Sequence, residues 1–217
     1  MNPLLIRRRG MMASDDSPEF HKCLVFDGTA YIDTDIVPNG NQNTFNVSVG
    51  HETVTSGVQH VYDCLTSNGR IRVSYGSATT PTTRKVNAWY DNGVYSAITM
   101  DVNFSISSYR MVLTPYRLLC FSYNGYLSGP GNGVITSPIV LGTMTEHTGQ
   151  AFSGRMTQFM VYGPEAKNIT YASQIDNYTP FITLRPCIYK GEAGMWYVQG
   201  NKFYGNTAGA GTLTVAD

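Results

Sequence analysis

The feature that most constrains this chain is a succession of short segments rich in β-branched and aromatic residues, recurring from Cys23 onward and divided by turn-forming residues. Leu24-Val25-Phe26 with Tyr31, Ile32 and Ile36 opens the series, which first closes on Pro38-Asn39-Gly40. Runs over 44–49, 59–65, 70–75, 85–90 and 95–102 follow. Between them stand Ser67-Asn68-Gly69 and Asp91-Asn92-Gly93, whose residues tolerate positive φ, so several of these runs are expected to form hairpins. Ile71, Val73 and Tyr75 alternate with Arg72 and Ser74. That period of two fits a sheet with one dry face and one wet face.

Further runs over 109–113, 117–123, 133–142 and 152–162 are again divided by Gly, Pro and Asn, and 181–189 and 195–198 complete the pattern. One segment reads as helix: Thr170 to Tyr178 offers a Thr cap and apolar Ala172 and Ile175, enough for about two turns. About a dozen half-apolar strands can be buried only by stacking or closing sheets, so the spacing predicts an all-β antiparallel sandwich. Composition agrees, with 14% charged residues and abundant Gly and Tyr. No fixed internal period suggests a propeller or solenoid. At 217 residues one core is expected, in a domain spanning 21–217.

Residues 1–20 differ from the rest. They carry Leu4, Leu5 and Ile6, then Arg7, Arg8 and Arg9, two methionines and an acidic Ser/Pro stretch ending near Pro18. Such an arm is either a loose terminal tail with no role of its own or an anchor that orders against a partner, its arginines pairing with carboxylates and Leu4 and Leu5 filling a groove. The positive charges precede no apolar stretch of signal-peptide type, and nothing approaches the roughly 20 apolar residues of a membrane span. A soluble protein made in a reducing cytoplasm is expected, without membrane partners. Cys23, Cys64, Cys120 and Cys187 are too widely spaced for zinc or redox motifs and are expected to be buried thiols. Net charge is zero, so the composition does not suggest nucleic-acid binding.

Two stretches are less generic. Phe26-Asp27-Gly28-Thr29-Ala30-Tyr31-Ile32-Asp33-Thr34-Asp35-Ile36-Val37-Pro38-Asn39 resembles the opening of laminin G-like domains. The closing Leu184-Arg185-Pro186-Cys187, Gly194-Met195-Trp196-Tyr197, Lys202-Phe203-Tyr204-Gly205-Asn206 and Gly209-Ala210-Gly211-Thr212-Leu213 resembles their ending in proteins of gut anaerobes and their phages. Tyr197 stands where that pattern usually has Asp, and Ala210 where it has Thr. The resemblance covers about residues 23–215 and implies a two-sheet antiparallel jelly roll of the concanavalin A-like kind with one short helix. The leader Asn2-Pro3-Leu4-Leu5, with its arginines and Met11-Met12, is similar to openings of virion proteins of tailed, crAss-like phages. This implies a particle component assembled in the host cytoplasm: a head fibre, a capsid-decorating protein or a tail-associated adhesin. Such a homo-oligomer would bind capsid or other virion proteins through Leu4, Leu5, Arg7, Arg8 and Arg9. The alternative is a carbohydrate-binding module of a bacterial surface or secreted protein.

No catalysis is expected. Glycoside hydrolases need two carboxyl groups about 5 Å apart for retention, whereas Glu19, Glu52, Glu146, Glu165 and Glu192 are isolated in sequence. No nucleophile-elbow phrase accompanies His21, His51, His60 or His147. Asp33 with Asp35, and Asp101 with Asn103, are the close pairs that could converge on calcium. Solvated strand-end residues are the preferred reading, so no cofactor is expected. A glycan ligand needs rings that stack on sugar C–H faces and planar polar groups that fork onto hydroxyls. Trp89, Tyr90, Asp91 and Asn92 with Tyr95 across the turn form one candidate cluster, and Tyr123, Asn124 and Tyr126 a second. Trp196 is expected to pack.

Overall fold

The computed structural model describes residues 17–51, 57–80, 83–91, 94–101, 109–120, 123–127, 131–147 and 150–217. Its strands are β1 (Glu19–Phe20), β2 (Cys23–Asp27), β3 (Ile32–Asp33), β4 (Thr44–His51), β5 (Gln59–Thr66) and β6 (Gly69–Thr80). Next come β7 (Thr83–Asp91), β8 (Val94–Asp101), β9 (Tyr109–Leu113), β10 (Arg117–Cys120), β11 (Tyr123–Tyr126) and β12 (Val140–Leu141). The series ends with β13 (Gln150–Ala151), β14 (Ser153–Tyr162), β15 (Ile182–Tyr189), β16 (Glu192–Tyr197), β17 (Lys202–Tyr204) and β18 (Leu213–Ala216). Eleven of them form a larger sheet with the order β11-β10-β9-β4-β14-β15-β16-β17, to which β1, β2 and β18 add. Seven form a smaller sheet, β3-β12-β5-β6-β7-β8, with β13 beside β5. Apart from the parallel β13–β5 pair, the described pairings are antiparallel.

The period-two segments explain the layering, because each strand sends alternate apolar side chains into the space between the sheets. Phe45 of β4, Tyr62 of β5 and Phe159 of β14 meet there, with ring centroids 5.0 to 6.2 Å apart. Phe152 lies against Phe26 at 5.8 Å and Tyr75 at 6.4 Å. Each such buried ring contributes roughly 1.5–3 kcal/mol. The four cysteines are buried free thiols, as expected. Burial pushes the Cys120 thiol up to about 12 and Cys187 to about 11, which suits a packing role.

β2 pairs with β18, so the first and last parts of the sandwich close one on the other. Asp27 fixes that junction. Its Oδ1 accepts from the N–H groups of Thr29 and Ala30, and its Oδ2 from Thr212 N–H. Burial works against the carboxylate there, but these bonds hold its pKa below the ordinary value. The sheet also begins earlier than the sequence suggests. Glu19 and Phe20, assigned to the arm, pair with Ile188 and Cys187 of β15. Residues 1–16 lie outside the described residues.

The expected helix forms as a 3₁₀ helix over Ala172–Asn177, preceded by a 3₁₀ turn over Pro164–Ala166. The Thr170 side chain is not its cap. Instead Gln174 Oε1 turns back to accept from the N–H groups of Thr170 and Tyr171. Ala166, Ile169, Ala172 and Ile175 cover Val112, Leu119 and Tyr162 on the outside of the larger sheet, making a second, smaller core.

Candidate functional site

The outer face of the smaller sheet carries the strongest concentration of chemistry. Its register is Asp63↔Arg72 between β5 and β6, then Arg72↔Trp89 between β6 and β7. Cross-strand partners share a face, so an acid, a guanidinium and an indole stand in one row. The neighbouring row runs His60↔Ser74↔Asn87. His60 and Asp63 are three residues apart and would fall on opposite faces of a regular strand. A β-bulge between His60 and Tyr62 removes the conflict by turning both Val61 and Tyr62 into the core.

The row is tied together from both sides. The Arg72 guanidinium lies 4.0 Å from the Trp89 ring centroid, a cation–π contact that fixes the half-buried indole. Asp63 is completely buried, and its Oδ2 accepts from Thr145 N–H at 2.9 Å, from the Thr145 hydroxyl and from Arg70 Nη1 at 3.4 Å. Arg70 also donates through Nη1 and Nη2 to Glu146. The segment Met144–Glu146 is thereby strapped across the end of the row, with Met144 Sδ against the Arg72 guanidinium.

Electrostatics follow from this packing. Burial raises the Asp63 carboxyl above its usual range, although Thr145 and the two arginines pull the other way. The Arg70 hydrogen bonds hold Glu146 below its usual range. Burial first, and then the charges of Arg72 and Arg70, press His60 down to about 4, so its ring is neutral near pH 7. Four buried polar atoms on this face have no hydrogen-bond partner among the described residues: His60 Nδ1, Asp63 Oδ1, Arg72 Nε and Ser74 Oγ. An unpaired buried polar group costs roughly 1–3 kcal/mol, so four on adjacent strands are a costly concentration.

The sequence-predicted site residues divide. Trp89 is on this face. Tyr90 and Asp91 are interior, so the structure does not bring them together with Trp89 in one surface cluster. Neighbours along a strand point to opposite faces, and Tyr90 enters the core at 1% exposure. Its hydroxyl donates to Asn43 O, and Gly131 passes so close that a Cβ there would lie 2.0 Å from the ring. Asp91 accepts from Thr66 Oγ1 and Gly133 N–H, which uses both of its oxygens in pinning the 131–134 segment.

Asn92 lies outside the described residues, as do the side chains of Tyr95, Tyr123 and Asn124. By register, Tyr95 stands opposite Trp89. Tyr126 is 67% exposed, with the Arg117 guanidinium 4.5 Å over its ring, and its strand β11 adjoins β8 at the edges of the two sheets. The anchor residues Leu4, Leu5, Arg7, Arg8 and Arg9 lie outside the described residues.

Asp33 and Asp35 take separate partners: Asp33 bonds His147 Nε2 at 2.9 Å, and Asp35 accepts from Lys202 and Tyr204. Among the described residues no group of three or more His, Cys, Asp and Glu side chains is placed to hold a metal ion. Asn103 and the Asp101 side chain lie outside them. Sequence reasoning missed His60, Asp63, Arg70 and the 144–146 segment. The alternation of Arg70, Arg72 and Ser74 with apolar residues was the available signal.

This geometry belongs to a two-sheet jelly roll of the concanavalin A-like kind, and comparison with solved structures agrees. The chain is similar to a heptameric SAP-like pentraxin of Limulus polyphemus, with TM-score 0.55 and 14% identity over 85% of this chain and 94% of that one. It is also similar to a Bacteroides ovatus protein provisionally described as carbohydrate-binding, with TM-score 0.62 and 13% identity over 92% of this chain. The match spans 61% of that protein's length. No family model and no curated protein matches the sequence.

Proposed function

We propose that the sandwich is a non-catalytic glycan-binding domain whose ligand lies on the outer face of the smaller sheet, across Trp89, Arg72 and Asp63. The observation that carries this reading is the Asp63–Arg72–Trp89 row with its unpartnered polar atoms. The indole supplies an apolar surface for sugar C–H groups, and Arg72 Nε, Asp63 Oδ1, Ser74 Oγ and His60 Nδ1 supply donors and acceptors for hydroxyls. The described charges on this face, Arg70, Arg72 and Lys85 against Asp33, Asp63 and Glu146, balance, which favours neutral sugars. Likeness in fold to a protein provisionally described as carbohydrate-binding supports the same reading.

The placement of Arg70 supports binding without cleavage. Asp63 Oδ2 and Glu146 Oε2 both accept from its Nη1 at 3.4 Å, so the guanidinium fills the gap that a scissile bond and water would need. Neutral oligosaccharides of the glucan, mannan, galactan and xylan classes, screened by Trp fluorescence in a Trp196→Phe background, test the reading. A saturable Trp89 response, with binding of the same oligosaccharide by isothermal titration lost in Trp89→Ala, supports it. No response from any class, or release of reducing ends, contradicts it.

The wider setting we propose is a tailed-phage particle, with residues 1–16 attaching a homo-oligomeric sandwich to capsid or other virion proteins. Its support is the resemblance and the basic, leucine-bearing leader, whose removal should leave a folded sandwich that no longer joins particles. Undiminished incorporation would contradict it. The alternative, a module of a bacterial surface or secreted protein, is favoured by the likeness to the Bacteroides ovatus protein.

A further inference from the structure

The larger sheet carries a separate cleft of about 580 Å³ on its outer face, beyond the area covered by the 3₁₀ helix. A volume of this size suits a small ligand. One outward row reads Leu119, Val112, Asn46, Met160 across β10, β9, β4 and β14. Asn46 is the polar interruption in that apolar row. It is 1% exposed and lines the cleft. The Tyr162 hydroxyl donates to Met160 Sδ and its oxygen still accepts from Asn46 Nδ2, which leaves Asn46 Oδ1 as the unpartnered atom of the amide.

The next row supplies more hydrogen-bonding groups. β14 bulges between Met156 and Phe159, so Thr157 and Gln158 both line the cleft beside Ser48. Bulges that re-aim side chains in this way recur beside binding sites. At the far wall His21 Nδ1 bonds Asp217, while its buried Nε2 is 3.7 Å from Glu19, too long for a hydrogen bond. Charge in the cleft is unbalanced, with Lys22 and Arg185 against the one lining carboxylate, Asp217, which bonds His21. Arg110 is consumed by a bidentate pair with Asp176 at 2.5 and 2.8 Å. Arg185, stacked on Phe20 at 4.1 Å, and exposed Lys22 have no carboxylate partner among the described residues.

We infer that this cleft is a second binding site, for a small acidic sugar of the uronate type. Lys22 and Arg185 receive its carboxylate, while Asn46, Ser48, Thr157 and Gln158 receive its hydroxyls. Two spare cations beside unsatisfied amide and imidazole groups match a ligand that is both anionic and hydroxylated. A simple anion would leave the Asn46 amide unused, and a neutral sugar would leave the cations unused.

Isothermal titration with sodium glucuronate and with glucose tests the assignment. Glucuronate should bind at least tenfold more tightly than glucose, and its affinity should fall as sodium chloride rises. The Lys22→Ala/Arg185→Gln variant should lose at least tenfold in glucuronate affinity with an unchanged melting temperature. Gln158→Ala, which keeps both cations, should lose less. Trp89→Ala should bind glucuronate as the parent does, because it lies on the opposite sheet. Equal binding of the two sugars, an unaffected double variant, or loss of glucuronate binding in Trp89→Ala would overturn the inference.

Discussion

On the larger sheet the outward residues Val112, Leu119 and Tyr162 are apolar and lie beneath Ala166, Ile169, Ala172 and Ile175, whereas on the smaller sheet the outward His60, Asp63, Arg72 and Ser74 are polar. Both faces arise from the same alternation of side chains along strands. The first is closed by the protein's own chain, which removes its apolar surface from water. The second keeps polar atoms buried without partners, although strapping by Arg70 and Thr145 holds the groups in place. A face that buries apolar groups under its own cover serves stability, while the one that holds unsatisfied polar groups rigid is where we propose that the ligand binds.

The largest effect expected from breaking this contrast is on the covered face. Ile175→Ala opens the second core at a fully buried position and should cost about 2–5 kcal/mol, read as a lower urea midpoint with an unchanged slope. Sugar affinity, corrected for the folded fraction, should not change. On the polar face the outcome reverses. Trp89→Ala should lower affinity for the responding neutral glycan at least tenfold, about 1.4 kcal/mol, while shifting the urea midpoint less than Ile175→Ala does.

Acid sharpens the comparison further. His60 has a folded pKa of about 4, below its unfolded value of 6.5, so the unfolded chain binds the extra proton in that window. His60 therefore costs no stability through protonation above pH 6.5, and stability falls as pH drops from 6.5 toward 4. Arg70 and Arg72 reinforce that sign and Glu146 opposes it. Melting temperatures measured from pH 7 to 4 should fall less steeply in His60→Asn than in the parent. The smallest effect belongs to Arg110→Ala. It removes a partly exposed ion pair with Asp176, and should cost at most about 1 kcal/mol, shrinking as salt is added.

Much of the fold could be read from sequence because strand periodicity is a local signal. The 109–113 run coincides with β9, and 59–65 falls within β5. The 133–142 run fares worse, yielding only Val140–Leu141 as a strand and an isolated bridge at Ile135. Its glycines pack closely instead of extending a ladder, Gly133 against Asp91 and Gly142 against Phe26. β1 was hidden because two residues carry no period, and its pairing with β15 is remote in sequence.

At the site, Trp89 was legible as a ring near a turn, but alternation turns Tyr90 to the other face, and a positive φ with bonds to Thr66 and Gly133 draws Asp91 away from it. His60 and Asp63 share a face only through a bulge that no residue pattern announces. The Arg70 links to Glu146 span 76 positions and exist only once the sandwich is closed.

The central claim is that neutral sugars bind on the outside of the smaller sheet, against the Trp89 ring. Its most direct test is a proton–nitrogen correlation spectrum of the uniformly ¹⁵N-labelled protein, titrated with the oligosaccharide that gives the fluorescence response. The account predicts saturable shifts of the Trp89 indole N–H and the Arg72 Nε–H, with the Trp196 indole unmoved. Saturable shifts confined to residues of the larger sheet, with Trp89 and Arg72 silent, would contradict it.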